Sequence, residues 1–217
     1  MGKRFAISFV FIALLVSACA AYGEETVTTP AAKFDPAKTV IAVLPTVNDL
    51  GKQDKEAAAL LSIGREACKQ EFSSRGFQIV GFDVVDKIIA DQKIDFTDEE
   101  NRTKATLQKI GQAANANIVC MVVLQPTKDT IQSTVWASRK LKQAYIDMRV
   151  LDVATGSYLT NGVFIGKAGG SYLFGALSKS SPLRHRAVAA GVNESLKELL
   201  KPYKAIKTDK GSGDTQK

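Results

Sequence analysis

The chain alternates between short apolar runs and longer segments in which apolar residues recur every three or four positions. The runs TVIAVL at 39–44 and NIVCMVVL at 117–124 are apolar almost throughout, as expected of strands covered by helices on both faces. Residues 143–153 instead alternate between apolar and polar from Ala144 to Val150, so one face of this strand is expected to be buried and the other wet.

Local signals predict where the helices begin and end. Gly76 is expected to stop the first helix and Asp83 to cap the second. Thr97 is expected to open the third as a capping box with Glu100. Ser181-Pro182 begins the last helix, because proline suits the first helical position.

The resulting order is strand, helix, strand, helix, helix, strand, strand, strand, helix. The turn at 154–156 is short enough to join the last two strands as a hairpin. This order predicts an α/β fold, a three-layer domain with helices packed on a mixed β-sheet, and no internal repeats. The predicted strands cover 39–44, 77–82, 117–124, 143–153 and 157–166, and the predicted helices cover 54–74, a short segment from Asp83, 97–114 and a segment from Ser181.

The first residues have the pattern of an export signal. Two basic residues precede an uncharged run of about 12 residues at 5–16, which is too short to span a bilayer but typical of a secretory leader. Ala18-Cys19-Ala20 suits ordinary signal peptidase, whereas Val16-Ser17-Ala18-Cys19 resembles the lipobox of bacterial lipoproteins. We favour the lipobox, in which the Cys19 thiol receives a diacylglyceryl group and becomes the mature N-terminus. No aspartate follows Cys19, and in a bacterium with two membranes the resemblance then implies the outer membrane, facing the periplasm.

The remaining chain divides into a tether, one domain and a tail. We expect a signal peptide at 1–18, a lipid-anchored flexible tether at 19–37, a globular domain at 38–203 and a disordered basic tail at 204–217. Of the net charge of +7, two charges lie in the leader and a net three at 201–217, which leaves about +2 on the domain. That charge does not indicate nucleic-acid binding.

No constellation of catalytic or metal-binding residues is evident. The single histidine, His185, stands between two arginines and is expected to be a surface residue. Asp147 and Asp152 have odd spacing on one strand, so they would not share a cleft. Cys68 and Cys120 could form a disulfide after export, but two independently buried thiols are the favoured interpretation. We therefore expect no enzyme, no cofactor, no metal and no small-molecule substrate.

Four segments in order carry a family resemblance: TVIAVLP, RGFQIV, IGQAANANIVCMVV and MRVLDVATGSYL. Their sequence and spacing resemble the periplasmic lipoprotein superfamily that includes CsgG, the curli-secretion channel subunit. The lipoprotein activators of penicillin-binding proteins and the amino-terminal domain of TolB look like relatives. The resemblance covers about 38–203. It implies an envelope location and an α/β fold more firmly than it implies a particular biochemical function.

Two segments could be insertions relative to that superfamily, Gln125–Lys142 and Gly169–Ser181. The channel-forming members insert spanning hairpins there, but neither segment offers two spanning strands with an apolar outward face, so a pore is not expected. The second segment could be a contact loop for a partner or a flap on its own domain, and its candidate partner-binding residues are Tyr172, Leu173, Phe174 and Leu177.

The predicted function is a non-catalytic, lipid-anchored envelope module that docks a protein partner. The alternative is a subunit of an oligomeric ring in a secretion or assembly apparatus, in which self-association is the function.

Overall fold

The computed structural model describes residues 34–51, 54–133, 137–173 and 181–206, with the backbone alone at 132–133, 137–140, 170–173 and 181–182. A short 3₁₀ helix covers Glu99–Asn101. The strands are β1 (Val40–Val43), β2 (Val47–Asn48), β3 (Gln78–Ile79), β4 (Ile118–Ser133), β5 (Ala137–Asp152) and β6 (Ser157–Leu173), and the helices are α1 (Ala57–Ser73), α2 (Phe82–Asp91), α3 (Lys104–Ala113) and α4 (Ser181–Leu200).

The sheet is mixed, as the order of elements predicted. Its strand order is β3-β1-β4-β5-β6, and β2 pairs with β4 beyond the end of β1. β1 runs parallel to β3 and β4, whereas β4, β5 and β6 form an antiparallel meander. The predicted hairpin between the last two strands is confirmed, with Asp152 paired to Ser157.

Helices cover the centre of the sheet on both faces. Ile41 and Val43 of β1 belong to the core beneath α1 and α4, while Ala42 and Leu44 face α2 and α3. Both faces of β1 and of the first half of β4 are therefore buried, which explains their unbroken apolar sequence. The three-layer α/β architecture is confirmed.

Helix α4 lies unusually close to β6. A Cβ added to Gly166 would lie 1.9 Å from the carbonyl oxygen of Ala187 and 2.2 Å from the amide nitrogen of Gly191. Two glycines thus let the α4 backbone rest directly on the strand. The apolar stripe that α4 buries consists of Leu183, Ala187, Val188, Val192, Leu196, Leu199 and Leu200.

Two predicted helix starts are wrong and one predicted stop is confirmed. Gly76 ends the first helical segment with a φ of +87°, a conformation that favours glycine. Gly81, not Asp83, is the N-cap of α2, and Asp83 lies in its first turn.

Thr97 does not open a long helix, because its hydroxyl donates to Asp95 instead. Helix α3 starts only at Lys104, and the Thr103 hydroxyl caps it by accepting from the Thr106 N–H at 3.3 Å.

The folded contacts extend slightly past the predicted limits of 38 and 203. The Phe34 N–H donates to the Tyr203 hydroxyl at 2.8 Å, and Phe34 packs against the core. At the other end, the Ile206 N–H donates to the Ser74 carbonyl at 2.7 Å. Residues near both limits of the domain therefore meet beside the end of α1.

Candidate functional site

The central strand β4 leaves the core of the sheet at Pro126. The last pairing of β2 with β4 joins Asn48 to Leu124, and the register of β4 against β5 shifts between Gln125 and Lys128. Proline has no N–H to donate, so within sheets it occurs at edges or bulges. Pro126 stands where β4 keeps only β5 as a neighbour among the described strands.

Beyond Pro126 the strands β4, β5 and β6 continue together as a three-stranded extension. Gln132 pairs with Arg139 on one side, and Arg139 pairs with Ser171 on the other. The candidate insertion Gln125–Lys142 is therefore mostly a continuation of β4 and β5. The last strand, predicted to end at 166, instead continues through a glycine-rich segment to Leu173 as β6.

A cluster of ion pairs holds the base of this extension beneath α4. Lys142, which is only 6% exposed, forms an ion pair with Asp129, which lies directly opposite on β4. Arg184 of α4 pairs with Asp54 and, at 3.0 Å, with Glu56. Its guanidinium, by hydrogen bonding, lowers the pKa of Asp54, and Asp54 raises the pKa of Arg184 in return.

The charged side chains of this cluster pair with one another. Buried charges need partners, and each member already has one. Arg184 ties the segment before α1 to the start of α4, and the Lys142–Asp129 pair ties β4 to β5 at the base of the extension.

Among the described strands, β6 forms one edge of the sheet, and its register against β5 is shifted by a bulge at Leu159, close to the hairpin turn. From Ser157 to Leu173 it carries a single charged residue, Lys167, and no proline. Natural proteins shield edge strands with charges, prolines, bulges or short length. The opposite edge, β3, is only two residues long, and β6 has 17.

Two aliphatic side chains are exposed on the β6 face that the helices leave open. Val163 is 42% exposed and Ile165 is 43% exposed, and they lie opposite Asp147 and Tyr145 of β5. Helices α2 and α3 bury the other half of this face, reaching only as far as residues such as Leu151 and Tyr158 near the β5–β6 turn. We call Val163, Ile165 and the side of β6 that no described strand pairs with the open edge.

Two of the candidate binding residues predicted from the sequence lie further along the same strand. Tyr172 and Leu173 form the end of β6, where they pair with Ser138 and Ala137. Phe174, Leu177 and the lipidation candidate Cys19 lie outside the described residues. Val163 and Ile165 were not among the predicted binding residues. The apolar run VFI at 163–165, near the predicted end of the last strand, was the signal that could have identified them.

The acidic residues that we considered for chemistry have structural partners. Asp147 pairs with Arg149 at 3.0 Å, and Asp152 accepts from the Ala154 N–H and the Thr155 hydroxyl in the hairpin turn. His185 is half-buried in α4 rather than on the open surface. In the part of the chain that is described, no group of three or more His, Cys, Asp or Glu residues could hold a metal ion.

Among the described helices, none is long and apolar enough to cross a membrane.

Comparison with known proteins gives likenesses of shape alone. No protein-family model and no curated protein matches the sequence. Lipoprotein GNA1162 from Neisseria meningitidis aligns with 72% of this chain and 96% of its own, at 18% identity and a TM-score of 0.42. The hypothetical protein CT253 from Chlamydia trachomatis aligns with 76% of this chain and 95% of its own, at 16% identity and a TM-score of 0.47. LpoB from E. coli aligns with 58% of this chain and 54% of its own, at 15% identity and a TM-score of 0.39.

Proposed function

We propose that this protein is a non-catalytic, lipid-anchored module of the bacterial cell envelope that docks a protein partner through the open edge of β6. The observation that carries the proposal is the 17-residue edge strand with Val163 and Ile165 exposed beside it. A long edge with one charge and no proline is suited to accept a strand from another chain.

Strand addition explains how such a surface binds. The partner's backbone would pair with the N–H and C=O groups along the open edge of β6, which gives affinity. Side chains alternating along the added strand would contact Val163 and Ile165 on the open face, which gives specificity. Lys167 and the Asp147–Arg149 pair flank the two aliphatic residues, so the apolar contact would have a polar border, as interfaces commonly do.

The anchor half of the proposal rests on the lipobox. Acylation of Cys19 would fix the mature N-terminus to the outer membrane on its periplasmic side. More than one acyl chain makes such attachment effectively permanent. Because Phe34 is already packed on the domain, the connecting chain runs from 19 to 33 and reaches about 50 Å when fully extended. The open edge could then meet a partner at some distance from the membrane.

The alternative is a ring subunit of a secretion or envelope-assembly apparatus. The open edge also supports this function, since an unpaired strand accepts a second copy of the chain as readily as a different protein. The mass of the purified protein in mild detergent separates the two, because a ring is many times heavier than the monomer.

The decisive experiment places a photo-crosslinking amino acid at Asn161, an exposed position on β6, in the full-length protein in cells. Val84 on α2 is the matched control position, since it is 46% exposed on a different surface. We expect a discrete adduct from position 161 that is lost when Ile165→Lys is added, and no such adduct from position 84. Identical adducts from both positions, or an adduct that survives Ile165→Lys, would show that β6 is not the docking edge.

A further inference from the structure

Three sulfur atoms meet in the core between α1 and the sheet. The Cys120 Sγ on β4 lies 3.7 Å from the Cys68 Sγ on α1 and 3.6 Å from the Met148 Sδ on β5. All three residues are fully buried, and both cysteines are free thiols. Both cysteines are thus buried thiols, as the sequence favoured, but their side chains are in contact.

The close approach of α1 to the sheet has a local cause. Gly64 lies one turn before Cys68 on the same face of α1, and a Cβ at Gly64 would be 3.1 Å from the Thr46 Oγ1. A larger residue there would hold the helix further from the sheet. Cys120 sits in the middle of the sheet, paired with Val43 on one side and Val150 on the other, so the strand that carries it is fixed. The two thiols are thus brought together by rigid elements.

We propose that Cys68 and Cys120 form an intramolecular disulfide in the exported protein, joining α1 to the central strand. The two Sγ atoms would close from 3.7 Å to about 2.05 Å, through rotation of both side chains. The Met148 thioether is flexible and can adjust to that movement. If the Cys19 thiol is consumed by acylation, these two are the only thiols left in the chain. The proposal rests on the export part of the proposed function for its oxidising compartment.

The chemistry is thiol–disulfide exchange with an envelope disulfide as the oxidant. One cysteine, as thiolate, attacks the oxidant's disulfide and forms a mixed disulfide; the second cysteine then displaces the oxidant's sulfur. The pair loses two protons and two electrons, and the oxidant leaves as a dithiol. Because both cysteines are fully buried in the folded protein, the exchange must precede the final packing of α1. The finished bond would then be sealed from reductants.

The first arm of the test asks whether the geometry permits the bond. Full-length protein is reduced, unfolded in urea and refolded in a mixture of reduced and oxidised glutathione, and free thiols are then alkylated and mapped by peptide mass. We expect one peptide pair linked through Cys68 and Cys120, about 2 Da lighter than the sum of the two reduced peptides, which resists dithiothreitol until urea is added. Cys68→Ser is the control and should leave Cys120 open to alkylation in urea. Two alkylated thiols in the wild-type protein would overturn the proposal.

The second arm asks whether the bond forms in cells. Cells are quenched with acid and alkylated, and the protein is recovered from the membrane fraction. We expect Cys68 and Cys120 to be linked there, and to be reduced in a variant without residues 2–18, which stays in the cytosol. Linkage in glutathione but free thiols in the membrane fraction would overturn the native disulfide while leaving the anchor intact. Free thiols in a chain recovered from the cytosol with its leader uncleaved would refute the export part of the proposed function instead.

Discussion

The close contact of α4 with β6 predicts that Gly166→Ala is severely destabilising. The added Cβ would lie 1.9 Å from the Ala187 carbonyl oxygen and 2.2 Å from the Gly191 amide nitrogen. Carbon contacts are comfortable only near 3.5–4.0 Å, and both neighbours are backbone atoms that cannot rotate away. The helix must therefore move off the strand by more than about 1 Å, which loosens the packing of the buried Val188 and Val192. Overpacking typically costs about 1–3 kcal/mol, and we expect the upper end here, about 3 kcal/mol.

Gly81→Ala is the matched control for this substitution. The closest atom to its added Cβ is the Asp83 Oδ1 at 2.6 Å, which is the free end of a flexible side chain. Gly81 has a φ of −54°, which alanine adopts without strain. Urea unfolding followed by circular dichroism should give a loss within about 1 kcal/mol for Gly81→Ala, against about 3 kcal/mol for Gly166→Ala. Equal losses for the two variants would refute the proposed close packing of α4.

Further predictions concern the ion pairs and the core. The pKa of Asp54 is lowered by Arg184, so the ionised carboxylate stabilises the fold above its ordinary pKa, and this stabilisation is lost as pH falls through the lowered value. Asp54→Asn should therefore flatten the fall in the free energy of unfolding between neutral pH and about pH 3. An unchanged pH profile of the unfolding free energy would contradict this. Arg102→Ala should lower the free energy of unfolding by about 2–4 kcal/mol, because it removes a bidentate pair with Asp49 at 2.9 Å; a loss below about 1 kcal/mol would indicate a solvated pair. Leu60→Ala should lower the free energy of unfolding in urea by about 2–5 kcal/mol, since Leu60 is fully buried. Leu61→Ala is the control and should cost less, because Leu61 is only half-buried. The reverse order would mean that α1 is rotated about its axis.

Periodicity predicted the centre of the fold because burial there is simple. The apolar runs that form β1 and the first half of β4 are buried on both faces of the sheet, and a strand buried in this way has no position for a polar side chain. The alternation along β5 was equally direct, since Ala144, Ile146 and Met148 all face α4 and the core. The sequence of elements and the mixed sheet followed from these strands and the helices between them.

The errors arose where distant residues decide the local structure. The helix expected from Thr97 does not form, because the Thr97 hydroxyl donates to Asp95. Arg102, a few residues on, turns inward to Asp49, 53 residues away in sequence, and no local signal indicates that pairing. The extension of β4 and β5 was not predicted, because charged residues such as Lys128 and Lys142 interrupt the apolar pattern that indicates a strand. Lys142 is buried only because Asp129 lies opposite it in the register.

The candidate binding residues predicted from the sequence and the open edge have only the strand β6 in common. The residues Tyr172 and Leu173 belong to β6, but exposure at Val163 and Ile165 depends on where α2 and α3 stop covering the sheet, which is a tertiary property. Likewise, the spacing of Cys68 and Cys120 gave no sign that their sulfur atoms are 3.7 Å apart. A small residue one helical turn before a cysteine, here Gly64, was the available hint.

The central claim, a lipid-anchored envelope module, is tested most directly by the mass of the mature N-terminal peptide. The protein is extracted from the membrane fraction, digested, and compared with a Cys19→Ser variant. We predict a peptide that starts at an acylated Cys19, and loss of both the lipid and the membrane retention in the variant. An unmodified peptide that starts at Ala21, found in the soluble fraction, would contradict the anchor and the outer-membrane location together.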